Sequence, residues 1–218
     1  MKKSRKTRLS FDFYNKECTD LAVSLLGKVL CRKVSDTVIS GYIVETEAYV
    51  GFPDKSAHSY NGRRTEHNEP MYMAPGTCYV YMTYGLYHCI NISSQGDGCA
   101  VLLRALQPLT GIEKMSELRL KGRKSVKSKI IPEKGLCNGP AKLCLSLDIN
   151  KKNINKQNLT ISNDIWIEEP DSNSEIFNST HKTNIVKCAR IGIESAGEEW
   201  AKKPLRFYIK DNIYVSKR

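Results

Sequence analysis

Alternation of side chains along Val38–Val50 predicts a strand that sends Val44, Thr46 and Ala48 to one face and Glu45, Glu47 and Tyr49 to the other. Lys28–Val34 reads as the strand before it. Asp20–Leu26 reads as a short helix, capped by Thr19 or Asp20 and closed by Gly27. Tyr79–Met82 and His88–Ser93 have strand character around a turn at Thr83-Tyr84-Gly85, and Gln95-Gly96-Asp97-Gly98 turns the chain into a further strand, Cys99–Leu106. A symmetric second turn sets Asn91 opposite Leu102, with Arg104 its diagonal neighbour on the same face. Ile112, Met115 and Leu118 recur at helical spacing within Gly111–Leu120, Pro140 suits the first turn of another helix, and Arg206–Ile209 reads as a last strand. Two stretches break the pattern. Residues 51–75 are rich in Gly, Pro, Asn and charge, and residues 148–184 are polar and rich in Asn and Lys, the mark of a surface excursion. With no internal repeat and 218 residues, a single mixed α/β or α+β domain follows.

The formal net charge of +11 changes this picture, because a strongly basic surface attracts phosphates and nucleic acid is the commonest such partner. The charge gathers in a tail at residues 1–8 and in Arg119, Lys121, Arg123, Lys124, Lys127 and Lys129, a run that reads as a phosphate-facing loop or as a solvated one. Nothing approaches the ~20 apolar residues of a membrane span, and the basic N-terminus lacks the apolar core of a signal peptide. A protein that is not secreted follows, cytoplasmic if bacterial and nuclear if eukaryotic. None of the 8 cysteines forms the close pair that zinc and redox sites need, so they read as reduced core residues.

Arg104 lies in the apolar run Cys99–Leu106, where a guanidinium needs a carboxylate, and Glu45 or Glu47 on a neighbouring strand can supply it. A purely structural ion pair is one reading. The other is a carboxylate kept ionised by arginine, suited to activating water as a general base. Glutamate at such a position is also common where a strand faces solvent, although the shared face with Tyr49 favours a pocket. Most tyrosines fit core packing. Tyr84 differs, because a ring at a hairpin tip beside Gly85 is exposed and a DNA stack accepts such a wedge. His58, in the irregular stretch, has only His67 as a nearby companion, without metal-ligand spacing.

Eight ordered segments resemble the alkyladenine (3-methyladenine) DNA glycosylase family. They are Ile43–Tyr49, Ala57-His58-Ser59, Pro75–Tyr81, Tyr84-Gly85, Asn91–Gly98, Val101–Ala105, Gly139–Cys144 and Lys203–Tyr208. The likeness runs from about Arg8 to the C-terminus and is weakest over 148–184. It implies a curved antiparallel sheet flanked by helices, with a protruding β-hairpin that inserts into DNA. It also implies a monomer without metal or organic cofactor that acts on double-stranded DNA containing damaged purines. Such an enzyme flips the damaged nucleotide out and hydrolyses its N-glycosidic bond. The roles the resemblance implies are these: Glu47 as the base for water, Arg104 and a backbone carbonyl near Ile191 positioning that water, and Tyr49, His58 and Tyr81 sandwiching the flipped base. Asn91 would reject guanine, Tyr84 would fill the gap in the duplex, and Arg63, Thr65, Met71, Leu86, Tyr87 and Lys142 would contact DNA. The rival reading is a non-catalytic damaged-DNA-binding protein, which needs the basic surface and Tyr84 but not Glu47 with Arg104. A zinc nucleobase deaminase would need His-x-Glu and Pro-Cys-x-x-Cys, and neither occurs.

Overall fold

A computed structural model describes residues 7–121, 131–171, 174 and 184–217. Its centre is one long strand, β2 (Thr37–Val50), buried continuously from Ile39 to Ala48 because both its edges and both its faces are covered. One edge carries β5 (Cys99–Thr110). The other is shared, first by β1 (Val29–Val34) along residues 37–42 and then by β8 (Arg206–Ile209) along Glu45–Glu47. Register shifts at Ile43–Thr46 mark that change of partner, and a bulge there re-aims the neighbouring side chains. With β3 (Cys78–Thr83), β4 (Tyr87–Ser93), β6 (Ile165–Glu168) and β7 (Ile185–Cys188), the sheet has eight antiparallel strands in the order β3-β4-β5-β2-β1-β6. The β7–β8 pair joins along the second half of β2.

Val44 and Ala48 face the core, as alternation predicts, and join Val80, Ile90, Ile92, Val101 and Leu103 from neighbouring strands. Helices α1 (Phe11–Tyr14), α2 (Cys18–Ser24), α3 (Ile112–Leu120), α4 (Pro140–Ser146), α5 (Lys151–Ile154) and α6 (Glu198–Lys202) are the described α-helices, with short 3-10 turns in the connections between elements. Leu21, Leu25, Met115, Leu143, Leu147 and Ile154 are buried in this core, and the Thr46 hydroxyl donates to the Ala22 carbonyl at 2.9 Å. Among the described residues no helix is long and apolar enough to cross a membrane. All 8 cysteines are free thiols, and six of them are buried.

The structure departs from the sequence expectations in four places. Helix α2 begins at Cys18, so Thr19 and Asp20 sit within its first turn and cap nothing, while Gly27 does turn the chain with φ +80°. Strand β5 continues past Pro108, which pairs with Gly41 at a register shift that tolerates the missing N–H. Arg119 belongs to α3 rather than to a phosphate-facing loop, and its buried guanidinium donates to the Gly135 and Leu136 carbonyls. Most of that basic run, like residues 1–6, lies outside the described residues. The 148–184 stretch is in its first half part of the core. Ile149, Ile154, Leu159, Ile165 and Ile167 are buried, and β6 pairs with β1. The abundant asparagines there mislead because they serve the backbone: Asn150 forms a capping box with Asn153, and Asn155 accepts from the Val80 amide.

Candidate functional site

One cross-strand row assembles the site. Tyr79 lies opposite Asn91, Asn91 opposite Leu102, Leu102 opposite Glu47, and Glu47 opposite Arg206, running from β3 through β4, β5 and β2 to β8. The Asn91–Leu102 register is the one that a symmetric turn predicts. Above this row opens a cavity of about 410 Å³, within the usual size range of small-molecule sites. Tyr49, His58, Tyr81, Asn91, Arg104 and Ile191 all line it.

Glu47 sits immediately behind the wall, fully buried, held by three donors that themselves line the cavity. The Ile191 amide donates to its Oε1 at 2.8 Å, while Arg104 Nη1 and the Tyr49 hydroxyl donate to Oε2 at 3.1 and 3.0 Å. The contact at Ile191 is therefore through its N–H. Arg104 also binds Glu45 through Nε at 3.0 Å. Arg206 Nη1 and both the amide and hydroxyl of Ser216 complete the Glu45 shell at 2.7, 2.7 and 2.9 Å. Two carboxylates and two guanidiniums thus balance in charge, which is what permits their burial. The solvent-facing reading of Glu47 is overturned. Burial pushes the Glu47 carboxyl above its ordinary range, against Arg104, the Ile191 amide and the Tyr49 hydroxyl, which pull it down. A carboxylate tuned upward is a stronger base than a free glutamate. Burial would lower the Arg104 guanidinium, but Glu47 and Glu45 outweigh it and raise its pKa.

His58 and Tyr81 touch edge to face with ring centroids 4.7 Å apart, so they make one wall rather than two faces of a slot. His58 Nδ1 bonds the Tyr79 hydroxyl at 2.6 Å. Burial, then His67 and Arg63, lower the pKa of the His58 ring, which keeps it neutral at neutral pH. Asn91 is tied down by donating its amide to the Tyr79 carbonyl at 3.2 Å. Tyr84 is 90% exposed at the hairpin tip and has φ 52°, followed by Gly85 at φ 67°. Two successive positive φ values are what a tight type I′ turn demands. Leu86 and Tyr87 are exposed beside it. Arg63, Thr65 and Lys142 are exposed too, whereas Met71 is only 2% exposed and packs against Tyr79 and Ala100 at the cavity.

Several organising residues carry no sequence signal strong enough to find them. Asn68 is buried and donates to the His58 and Arg63 carbonyls at 2.9 and 2.7 Å while accepting from the Thr65 amide, which orders the irregular stretch. Asp54, Arg190 and Arg206 lie far apart in the chain, and only folding brings them to the carboxylates and rings. Among the described residues no group of three or more His, Cys, Asp or Glu side chains is gathered for a metal ion.

The methylpurine-DNA glycosylase (MPG) family model matches residues 12–213. The chain is 46% identical over 216 residues to the DNA-3-methyladenine glycosylase of Homo sapiens, covering 98% of this chain and 70% of the human protein. It is 45% identical over 210 residues to the Mus musculus enzyme of the same name, of which it spans 61%. A putative 3-methyladenine DNA glycosylase of Clostridium perfringens is 45% identical over 213 residues and is covered over its whole length. The chain belongs to the methylpurine-DNA glycosylase family and is a monofunctional, hydrolytic DNA glycosylase.

Proposed function

We propose that this enzyme works as a monomer on duplex DNA, flips damaged purine nucleotides (3-methyladenine, 7-methylguanine, hypoxanthine and ethenoadenine) into the cavity and hydrolyses their N-glycosidic bonds. One observation carries the reading: a fully buried carboxylate, Glu47, held by Arg104, Tyr49 and the Ile191 amide behind an aromatic-walled cavity. The flipped base lies between Tyr49 and the joint wall of His58 and Tyr81. Aromatic faces favour a cationic N3- or N7-alkylated purine, and a neutral His58 adds no repulsion.

Glu47 takes a proton from water as the water oxygen bonds to C1′. The C1′–N bond breaks, and its electron pair leaves with the base: a base that entered as a cation departs neutral, and hypoxanthine or ethenoadenine, which enter neutral, depart as anions that take a proton from solvent. Positive charge developing on the sugar resembles that of glycoside hydrolysis and is favoured by the adjacent carboxylate. Tyr84 fills the vacated stack, while Arg63, Thr65, Met71, Leu86, Tyr87 and Lys142 hold the surrounding DNA. Flipping costs a few kcal/mol, least for a weakly paired base.

The test is release of free base, with formation of abasic sites, from duplex oligonucleotides each bearing one of these lesions. Release without strand scission is expected. Tight binding to damaged DNA with no release would instead mark a non-catalytic binding protein.

A further inference from the structure

We infer that the buried Asp54–Arg190 pair is a positioning device for Glu47: it locks together the two loops and the aromatic ring that enclose the carboxylate and so sets its basicity. The inference rests on the reading of Glu47 as the base. Arg190 Nη1 and Nη2 grip Asp54 Oδ2 and Oδ1 at 2.5 and 3.0 Å, with both side chains wholly buried. Nη1 also donates to the Ala48 carbonyl at 2.9 Å, and the guanidinium carbon lies 4.7 Å from the centroid of the Tyr49 ring. Asp54 in turn accepts from the Val50 amide at 3.2 Å and from the Ser56 amide and hydroxyl at 3.0 and 2.6 Å. One ion pair therefore ties the end of β2 to the loop that leads to His58 and to the segment after β7.

Ile191, the next residue after Arg190, is the one whose amide binds Glu47 Oε1. Of the three donors to Glu47, Arg190 thus holds two in place, the Ile191 amide and the Tyr49 hydroxyl. The pair is not built for stability alone, because buried Arg190 Nε has no partner, and an unsatisfied buried donor costs stability. A planar bidentate clamp supplies orientation instead.

The electrostatic consequence has a definite sign. Glu47 faces Glu45 and Tyr49 on its own strand, Arg104 on β5, Tyr81 on β3, Cys89 on β4, Cys188 on β7 and Arg206 on β8. Loosening Arg190 alters none of the charged groups in that set. It releases two hydrogen bonds that favour the ionised carboxylate, so Glu47 then takes up its proton at higher pH.

The experiment is single-turnover excision of 7-methylguanine, whose cationic base needs no acid to leave, measured against pH in wild type, Arg190→Met, Arg190→Lys and Asp54→Asn. Damaged-DNA affinity and melting temperature are recorded alongside. Arg190→Met is expected to slow excision at neutral pH roughly 10- to 100-fold and to move the acid limb upward in pH, with affinity nearly unchanged. Arg190→Lys should recover part of both effects. Should Arg190→Met not fold, Asp54→Asn carries the same readouts, since it keeps the shape and removes the charge. A folded variant with an unmoved acid limb overturns the inference. Glu47→Gln run in parallel separates the two claims: if it stays active the reading of the base falls, and if it is inactive while the limb is unmoved only the role of the pair falls.

Discussion

At the cavity floor Glu47 is fully buried and every donor around it is spoken for, whereas Tyr84, on the hairpin that borders the same cavity, is 90% exposed. The floor sits on a strand hydrogen-bonded along both edges, and its position follows from register. The tip sits on a tight turn whose two central residues adopt positive φ, one of them a tyrosine, with no tertiary contact required to hold it. On the proposed function, the difference separates two tasks. A proton acceptor needs fixed distances and low polarity, while a group that replaces a base in a stack needs projection and a free face.

Glu47→Gln should break the floor without touching the tip. It keeps the shape and loses the base, so base release is expected to fall by roughly 10²- to 10⁴-fold, with affinity for damaged DNA retained. Near wild-type single-turnover excision would remove Glu47 from the mechanism. Arg104→Ala attacks the floor at the point where its two carboxylates meet. Leaving Glu45 and Glu47 short of a cation should cost about 3–5 kcal/mol of stability as well as activity. An unchanged melting temperature would contradict the buried ion-pair geometry.

Asn91 lies between the two regions and tests discrimination. Guanine carries a 2-amino group that adenine and hypoxanthine lack, and Asn91, pinned to the Tyr79 carbonyl, occupies cavity wall on the same face as Arg104. Rejection by a steric block costs the wrong base more than it helps the right one. Asn91→Ser or Asn91→Gly should therefore raise guanine release relative to hypoxanthine release from matched oligonucleotides by roughly tenfold or more. A flat ratio would make Asn91 a strand residue only. Tyr84→Ala is the converse of the floor variants. Affinity for DNA with an abasic gap should weaken by about 1–3 kcal/mol, while melting temperature and the excision step of the bound complex stay put. Undiminished affinity would show that the tip does not enter the stack.

Much of the floor was legible before folding, because alternation in β2 and symmetric pairing across Gln95–Gly98 need only local rules. They set Glu45, Glu47 and Tyr49 on one face and Asn91 opposite Leu102. Depth was not legible. A Glu-Thr-Glu strand reads equally well as half-exposed, and only β5, β8 and the segment around Ile191 bury it. The 148–184 stretch misled for the opposite reason, since its core isoleucines are diluted by asparagines that satisfy backbone groups.

The chain by itself determined six of its eight described strands, its exposed tip, its basic character and the face shared by carboxylate and ring, all set by period, turn chemistry and charge. Only the tertiary structure decided which guanidinium meets which carboxylate. It brought Arg206 and Ser216 to Glu45, and Arg190 to Asp54, from more than a hundred residues away. Such pairings follow from how sheet edges close and loops pack, and no local pattern encodes them. The same closure buried Glu47 among three hydrogen-bond donors and raised the pKa of its carboxyl.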